Sequence, residues 1–98
     1  MHLGVYWYIK NPSTPREPVM AALKEVLKGY SWVRPLPGYY VLQVGGESDR
    51  QLIREGLTAY AQANPGRVQF LITPLMNGKY TGFLPKDTWQ KLNDRTAP

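Results

Sequence analysis

The side chains of this sequence best equipped for chemistry are its aromatic rings and its cations: seven Tyr, three Trp and two Phe, interleaved with twelve Lys and Arg. Leu3-Gly4-Val5-Tyr6-Trp7-Tyr8-Ile9-Lys10 alternates strictly, so an extended backbone sends Tyr6, Tyr8 and Lys10 to one side and Leu3, Val5, Trp7 and Ile9 to the other. Rings interleaved with cations can stack on bases and neutralise phosphates, at about 1–3 kcal/mol per stacked base. The same residue types serve equally well in a subunit interface. Arg34 and Tyr39 lie in the next strand-like segments. Tyr6, Tyr8, Lys10, Arg34 and Tyr39 are therefore the candidate contacts to a nucleic acid or a protein partner. Near the C-terminus, Tyr80, Phe83 and Trp89 form a second aromatic set, read as contacts of a tail with its own sheet or with a second subunit.

Other chemistries lack their residues. With no Cys there are no disulfides, thiolate nucleophiles or cysteine-based metal sites, and one His cannot build a His-rich centre. A nucleophile and base pair is improbable, and His2 reads as an exposed terminal residue. The seven acids are dispersed, with Glu47 and Asp49 the one close pair, best explained as favourable charge at a helix N-terminus. No catalytic residue, metal ligand or cofactor is assigned. Trp7, Trp32 and Trp89 read as core or interface anchors. The net charge of +5 and pI near 9.6 suit a polyanionic partner, although a diffuse charge of this size also serves solubility.

The elements that must position these groups follow from breakers and periodicity. Leu3 to Lys10 is a strand, ended by Asn11-Pro12-Ser13-Thr14-Pro15. A helix then opens at Thr14 and Glu17, a capping-box spacing, or one step later with Glu17 as cap before Pro18. It buries Val19, Met20, Leu23, Val26 and Leu27 and stops at Gly29. Tyr30 to Leu36 and Tyr39 to Val44 make a hairpin at Pro37-Gly38, where Gly supplies the positive φ of a type II turn. Pro35 assigns the first of these strands to a sheet edge. Ser48 and Gln51 suggest a second capping box. Leu52, Ile53, Leu57, Tyr60 and Ala61 form that helix's apolar stripe, with Gly56 letting it approach the sheet, until Asn64-Pro65-Gly66. Arg67 to Thr73 is a last regular strand, and Lys86 or Asp87 opens a short helix carrying Trp89 and Leu92.

Ninety-eight residues leave room for one compact domain. The order β-α-β-β-α-β specifies an α+β fold of ferredoxin-like plan: a four-stranded antiparallel sheet, first and third strands central, two helices on one face, and an extra C-terminal strand or tail. We divide the chain into a domain over 1–75 and a C-terminal extension over 76–98 that packs on the sheet or on a partner subunit. The sheet's second face is expected to carry Tyr6, Tyr8 and Lys10 with Tyr39, Val41 and Gln43, joined from the edges by Arg34, Gln69 and Leu71. No apolar run approaches the roughly 20 residues of a membrane span, and the chain opens on a strand pattern rather than a signal region. The expectation is a soluble, cytoplasmic protein.

The element order, the short Pro-Gly hairpin and the segment Trp32-Val33-Arg34-Pro35-Leu36-Pro37-Gly38-Tyr39-Tyr40-Val41-Leu42 resemble the small ferredoxin-fold group around the second CRISPR-associated protein and virulence-associated protein D. The resemblance covers about residues 3–75. It implies a homodimer, with Ile72 to Phe83 extending the partner's sheet, and a place in a bacterial or phage defence system. Nucleases of that group hold a divalent ion through an aspartate at the end of the first strand. Here the stretch is Tyr8-Ile9-Lys10-Asn11, so the resemblance points to a non-catalytic relative. Val5 to Asn11 and Gly38 to Val44 are also similar to the two strand motifs of the RNA-recognition motif. The resulting expectation is a non-enzymatic dimeric protein that binds nucleic acid or a protein. The alternatives are a small inhibitor or immunity-type protein with one protein partner, and a degenerate metal-dependent nuclease.

Overall fold

The structure is a computed structural model that describes residues 1–10, 13, 15–77 and 80–96, the last four as backbone alone. Its elements are β1 (His2–Ile9), α1 (Arg16–Leu27), β2 (Trp32–Leu36), β3 (Tyr39–Gln43), α2 (Glu47–Ala63), β4 (Val68–Ile72) and α3 (Lys86–Thr96). The four strands form one open antiparallel sheet in the order β2-β3-β1-β4, so the molecule is of the α+β class with β1 and β3 inside.

Alternation in β1 decides the layers. Leu3, Val5 and Trp7 point to one face and join Tyr40, Leu42, Val44 and Val68 beneath Val19, Leu23 and Leu27 of α1 and Ile53 and Leu57 of α2. Each such apolar side chain gains about 1.5–3 kcal/mol on leaving water, which makes this layer the main source of stability. Trp7 sits between rings, 6.0 Å from Phe70 and 6.1 Å from Tyr60, centroid to centroid. At the hairpin, Gly38 has φ of +75° and its carbonyl accepts a 2.7 Å bond from the Trp7 amide, tying the turn to β1.

Several local expectations are corrected. α1 begins after Pro15 without a side-chain cap, and Thr14 lies outside the described residues. α2 begins one residue before Ser48, after Gly46, so Ser48 does not cap it. Asp49 instead reaches back to accept a 2.7 Å bond from the Gly45 amide. Leu52 is not part of the α2 stripe: it is exposed, because the buried positions Ile53 and Leu57 set a face about 100° away. Gly56 faces α1 rather than the sheet, since a Cβ there would stand 3.1 Å from Val26 Cγ2. Tyr30 precedes β2, which starts at Trp32, and Pro35 does lie in an edge strand, with a register irregularity between Val33 and Leu36. No extra strand follows β4 among the described residues. The chain instead runs on beside β1 to a single bridge between Met76 and His2 and then returns as α3 over β2 and β3. Of the described residues from Ile72 to Phe83, only Ile72 lies in a named strand and only Met76 in a bridge. None of the described helices is long and apolar enough to cross a membrane.

Candidate functional site

The face of the sheet away from α1 and α2 divides into two halves. Over β2 and β3, Leu92 of α3 is buried with Val33 and Val41, and Tyr39, Tyr80 and Trp89 pack around them. Over β1 and β4 the face is open, and Tyr6, Tyr8 and Leu71 are 48%, 50% and 70% exposed. Register explains the grouping, since Tyr6 is paired with Leu71 and Tyr8 with Gln69.

Gly4 lies on the seam. A Cβ there would stand 2.7 Å from the Tyr39 hydroxyl and 2.9 Å from Thr73 Cγ2, so its missing side chain is what lets the Tyr39 ring lie along the sheet. Beside it, His2 is buried, contrary to the exposed terminal residue expected. Its Nδ1 is 2.7 Å from the Tyr80 hydroxyl, the two rings are stacked at 5.7 Å, and Nε2 has no hydrogen-bond partner among the described residues. Burial, followed by the nearby charged N-terminus, holds His2 below the ordinary imidazole value. Burial, followed by Tyr39, pushes the Tyr80 hydroxyl up to about 12. Burial thus disfavours the charged form of both groups.

The open half meets cations at the end of the sheet where β1 finishes. Lys10 is exposed, and its amide donates a 2.8 Å bond to the Arg67 carbonyl, so the antiparallel partner strand begins with a second cation beside it. Arg16, at the start of α1, lines a hollow of about 300 Å³ together with Tyr6, Tyr8, Met20 and Pro37. A second, more open hollow of about 560 Å³ is lined by Tyr6, Tyr8, Gln69 and Leu71, and by Val68, Phe70 and Ala61 on the other side of β4. Among the described residues no carboxylate lines either hollow.

Of the residues singled out from sequence, Tyr6, Tyr8 and Lys10 come together here. Arg34 does not join them, because it lies on the opposite edge in a hollow with Thr88 and Lys91 of α3. Tyr39 is the register partner of Tyr6, but its ring belongs to the covered half. Tyr80 and Trp89 pack on that half, whereas Phe83 is fully exposed and does not. In the loop from Asn77 to Gly82, Gly78 and Lys79 lie outside the described residues. Sequence reasoning missed Arg16 and Arg67. Antiparallel pairing of the first and last strands signals Arg67, because it sets the entry of one beside the exit of the other.

Glu47 and Asp49 lie in the first turn of α2. Glu47 pairs with Arg50 at 3.0 Å, and Asp49 accepts bonds from the Gly45 amide and the Tyr30 hydroxyl. Burial, then the charge of Asp49 and the bond to it, raise the Tyr30 hydroxyl above its usual value. The two acids therefore serve the start of α2, and among the described residues no three His, Cys, Asp or Glu side chains converge on a metal position. No family model matches the chain, and no curated protein or solved structure does either.

Proposed function

We propose that this chain is a non-enzymatic binding protein whose open half-face takes a single-stranded nucleic acid. Bases stack on Tyr6 and Tyr8, while Lys10, Arg16 and Arg67 neutralise the phosphates that run past the end of β1. One observation supports the reading: two half-exposed tyrosines on alternate positions of a central strand line two hollows, one of them shared with Arg16, and among the described residues neither hollow is lined by a carboxylate. Tyrosine faces stack on any base, and cations beside them supply the sequence-independent part of binding. We also read the β-α-β-β-α-β order, with β1 and β3 inside, as the ferredoxin-like plan, which supports the same use of a helix-free sheet face.

Labelled single-stranded oligonucleotides titrated across a salt series test this directly. Three phosphate contacts give a slope of log K on log salt near −2, at about −0.7 per contact. Tyr8→Ala is expected to weaken binding by about 5- to 150-fold, corresponding to the loss of one stacked base. Lys10→Ala is expected to reduce the slope by about 0.7 while leaving the preference among sequences unchanged. No binding at low salt, or binding indifferent to Tyr8, removes the proposal.

A further inference from the structure

The two edges of the sheet are built differently. β2 carries Pro35, Arg34 and a register irregularity, and α3 packs against it. These are the devices by which proteins keep an edge from pairing with another chain. β4 has none of them: Val68-Gln69-Phe70-Leu71-Ile72 is uncharged, holds no proline and pairs with β1 without interruption.

Its hydrogen-bonding pattern is fixed by the bonds that bracket it. Lys10 donates to Arg67, and Thr73 donates to Gly4, so residues 67, 69, 71 and 73 face β1. By alternation, Val68, Phe70 and Ile72 direct three N–H and three C=O groups away from the sheet. The hollow around Tyr6, Tyr8, Phe70, Leu71 and Ala61 wraps this edge from both faces, leaving room for a further strand.

We propose that β4 pairs antiparallel with β4 of a second copy of this chain, about a two-fold axis at Phe70. Centring the axis there sets Val68 opposite Ile72 of the other copy and Phe70 opposite its counterpart, so all six outward groups on each strand find partners. A chain of net charge +5 repels its copy over most of its surface, yet β4 is neutral and self-complementary. This pairing does not depend on the nucleic-acid reading, but it would join the two open half-faces, with the β1 strands about 14 Å apart across three strand spacings.

The two-fold register also sets Gln69 opposite Leu71 of the partner, both exposed and both on the open face. Light scattering and sedimentation of the full chain at tens of micromolar are expected to give a species of about 22 kDa, twice the chain mass. The double variant Gln69→Lys with Leu71→Lys puts like charges opposite each other twice and is expected to be monomeric. Gln69→Lys with Leu71→Glu makes two opposite-charge pairs in the same register and is expected to restore the dimer. Amide exchange of the unaltered chain supplies a readout that needs no variant: Val68, Phe70 and Ile72 are expected to be protected at high concentration and to lose that protection on dilution. A monomeric wild-type chain, a Lys/Lys variant that stays dimeric, a Lys/Glu variant that stays monomeric, or concentration-independent exchange at those three amides would each overturn the pairing.

Discussion

One half of the helix-free face is a second small core and the other half is an open surface, although both are built from the same alternation of aromatic and aliphatic residues. Over β2 and β3, Val33, Val41 and Leu92 are at most 5% exposed beneath α3. Over β1 and β4, Tyr6, Tyr8 and Leu71 are about half exposed or more. Strand composition does not distinguish them; the path of the chain after β4 does, because it runs back beside β1 only as far as Met76 before α3 crosses to the far edge. The path of the chain thus decides which half of the sheet face stays uncovered. The covered half should matter for stability and the open half for binding.

The largest expected effect is on stability. Leu92→Ala should cost about 2–5 kcal/mol in urea unfolding, the range for a large-to-small change in a core. Leu71→Ala, on the open half, should stay within about 0.5 kcal/mol. Equal costs would mean that the two halves do not differ as described. On the seam, Gly4→Ala forces Tyr39 or Thr73 to give way and should cost about 1–3 kcal/mol. Tyr39→Phe with Thr73→Ser removes the two atoms nearest the new methyl group, so Gly4→Ala should cost less in that double-variant background than in the wild type.

Smaller effects come from protonation under the tail. His2 is held below its ordinary value of 6.5, so the unfolded chain takes up this proton first as the pH falls. Its contribution to stability is fully present above pH 6.5 and is lost progressively as the pH drops from there towards the depressed folded value. Tyr80 behaves oppositely: its pKa is raised from 10.0 to about 12, and its contribution is full below pH 10 and lost as the pH rises through 12. Because the sequence has a single His, unfolding midpoints between about pH 7 and 5.5 isolate the first effect. His2→Phe, which keeps a ring against Tyr80, should flatten the acid limb alone, and Tyr80→Phe the alkaline limb alone. An unchanged acid limb in His2→Phe would show that His2 titrates as freely in the folded chain as in the unfolded one.

Most of the fold was legible because it rests on short-range chemistry. The alternation of Leu3 to Lys10, the Pro37-Gly38 turn and the helical spacing of Val19, Leu23 and Leu27 each specify local structure, and Pro35 specifies an edge. The caps were misread because the two helices begin after Pro15 and Gly46 rather than after the Thr14 or Glu17 and the Ser48 expected, and a spacing of Ser and Gln does not fix where a helix begins. Within the site, Tyr6 and Tyr8 were readable from parity alone. The separation of Arg34 follows from β2 and β4 being opposite edges, whereas the burial of His2 was not readable, since it depends on the chain around Met76 and Tyr80 folding back beside β1, a long-range choice that no local pattern encodes.

Two-dimensional NMR of the labelled chain, titrated with a short single-stranded oligonucleotide at low salt, tests the central division most directly. The account predicts that backbone resonances of Tyr6, Tyr8, Lys10, Gln69 and Leu71 shift together while those of Val33, Val41 and Leu92 stay in place. No shifts at all, or shifts confined to the half beneath α3, would contradict it.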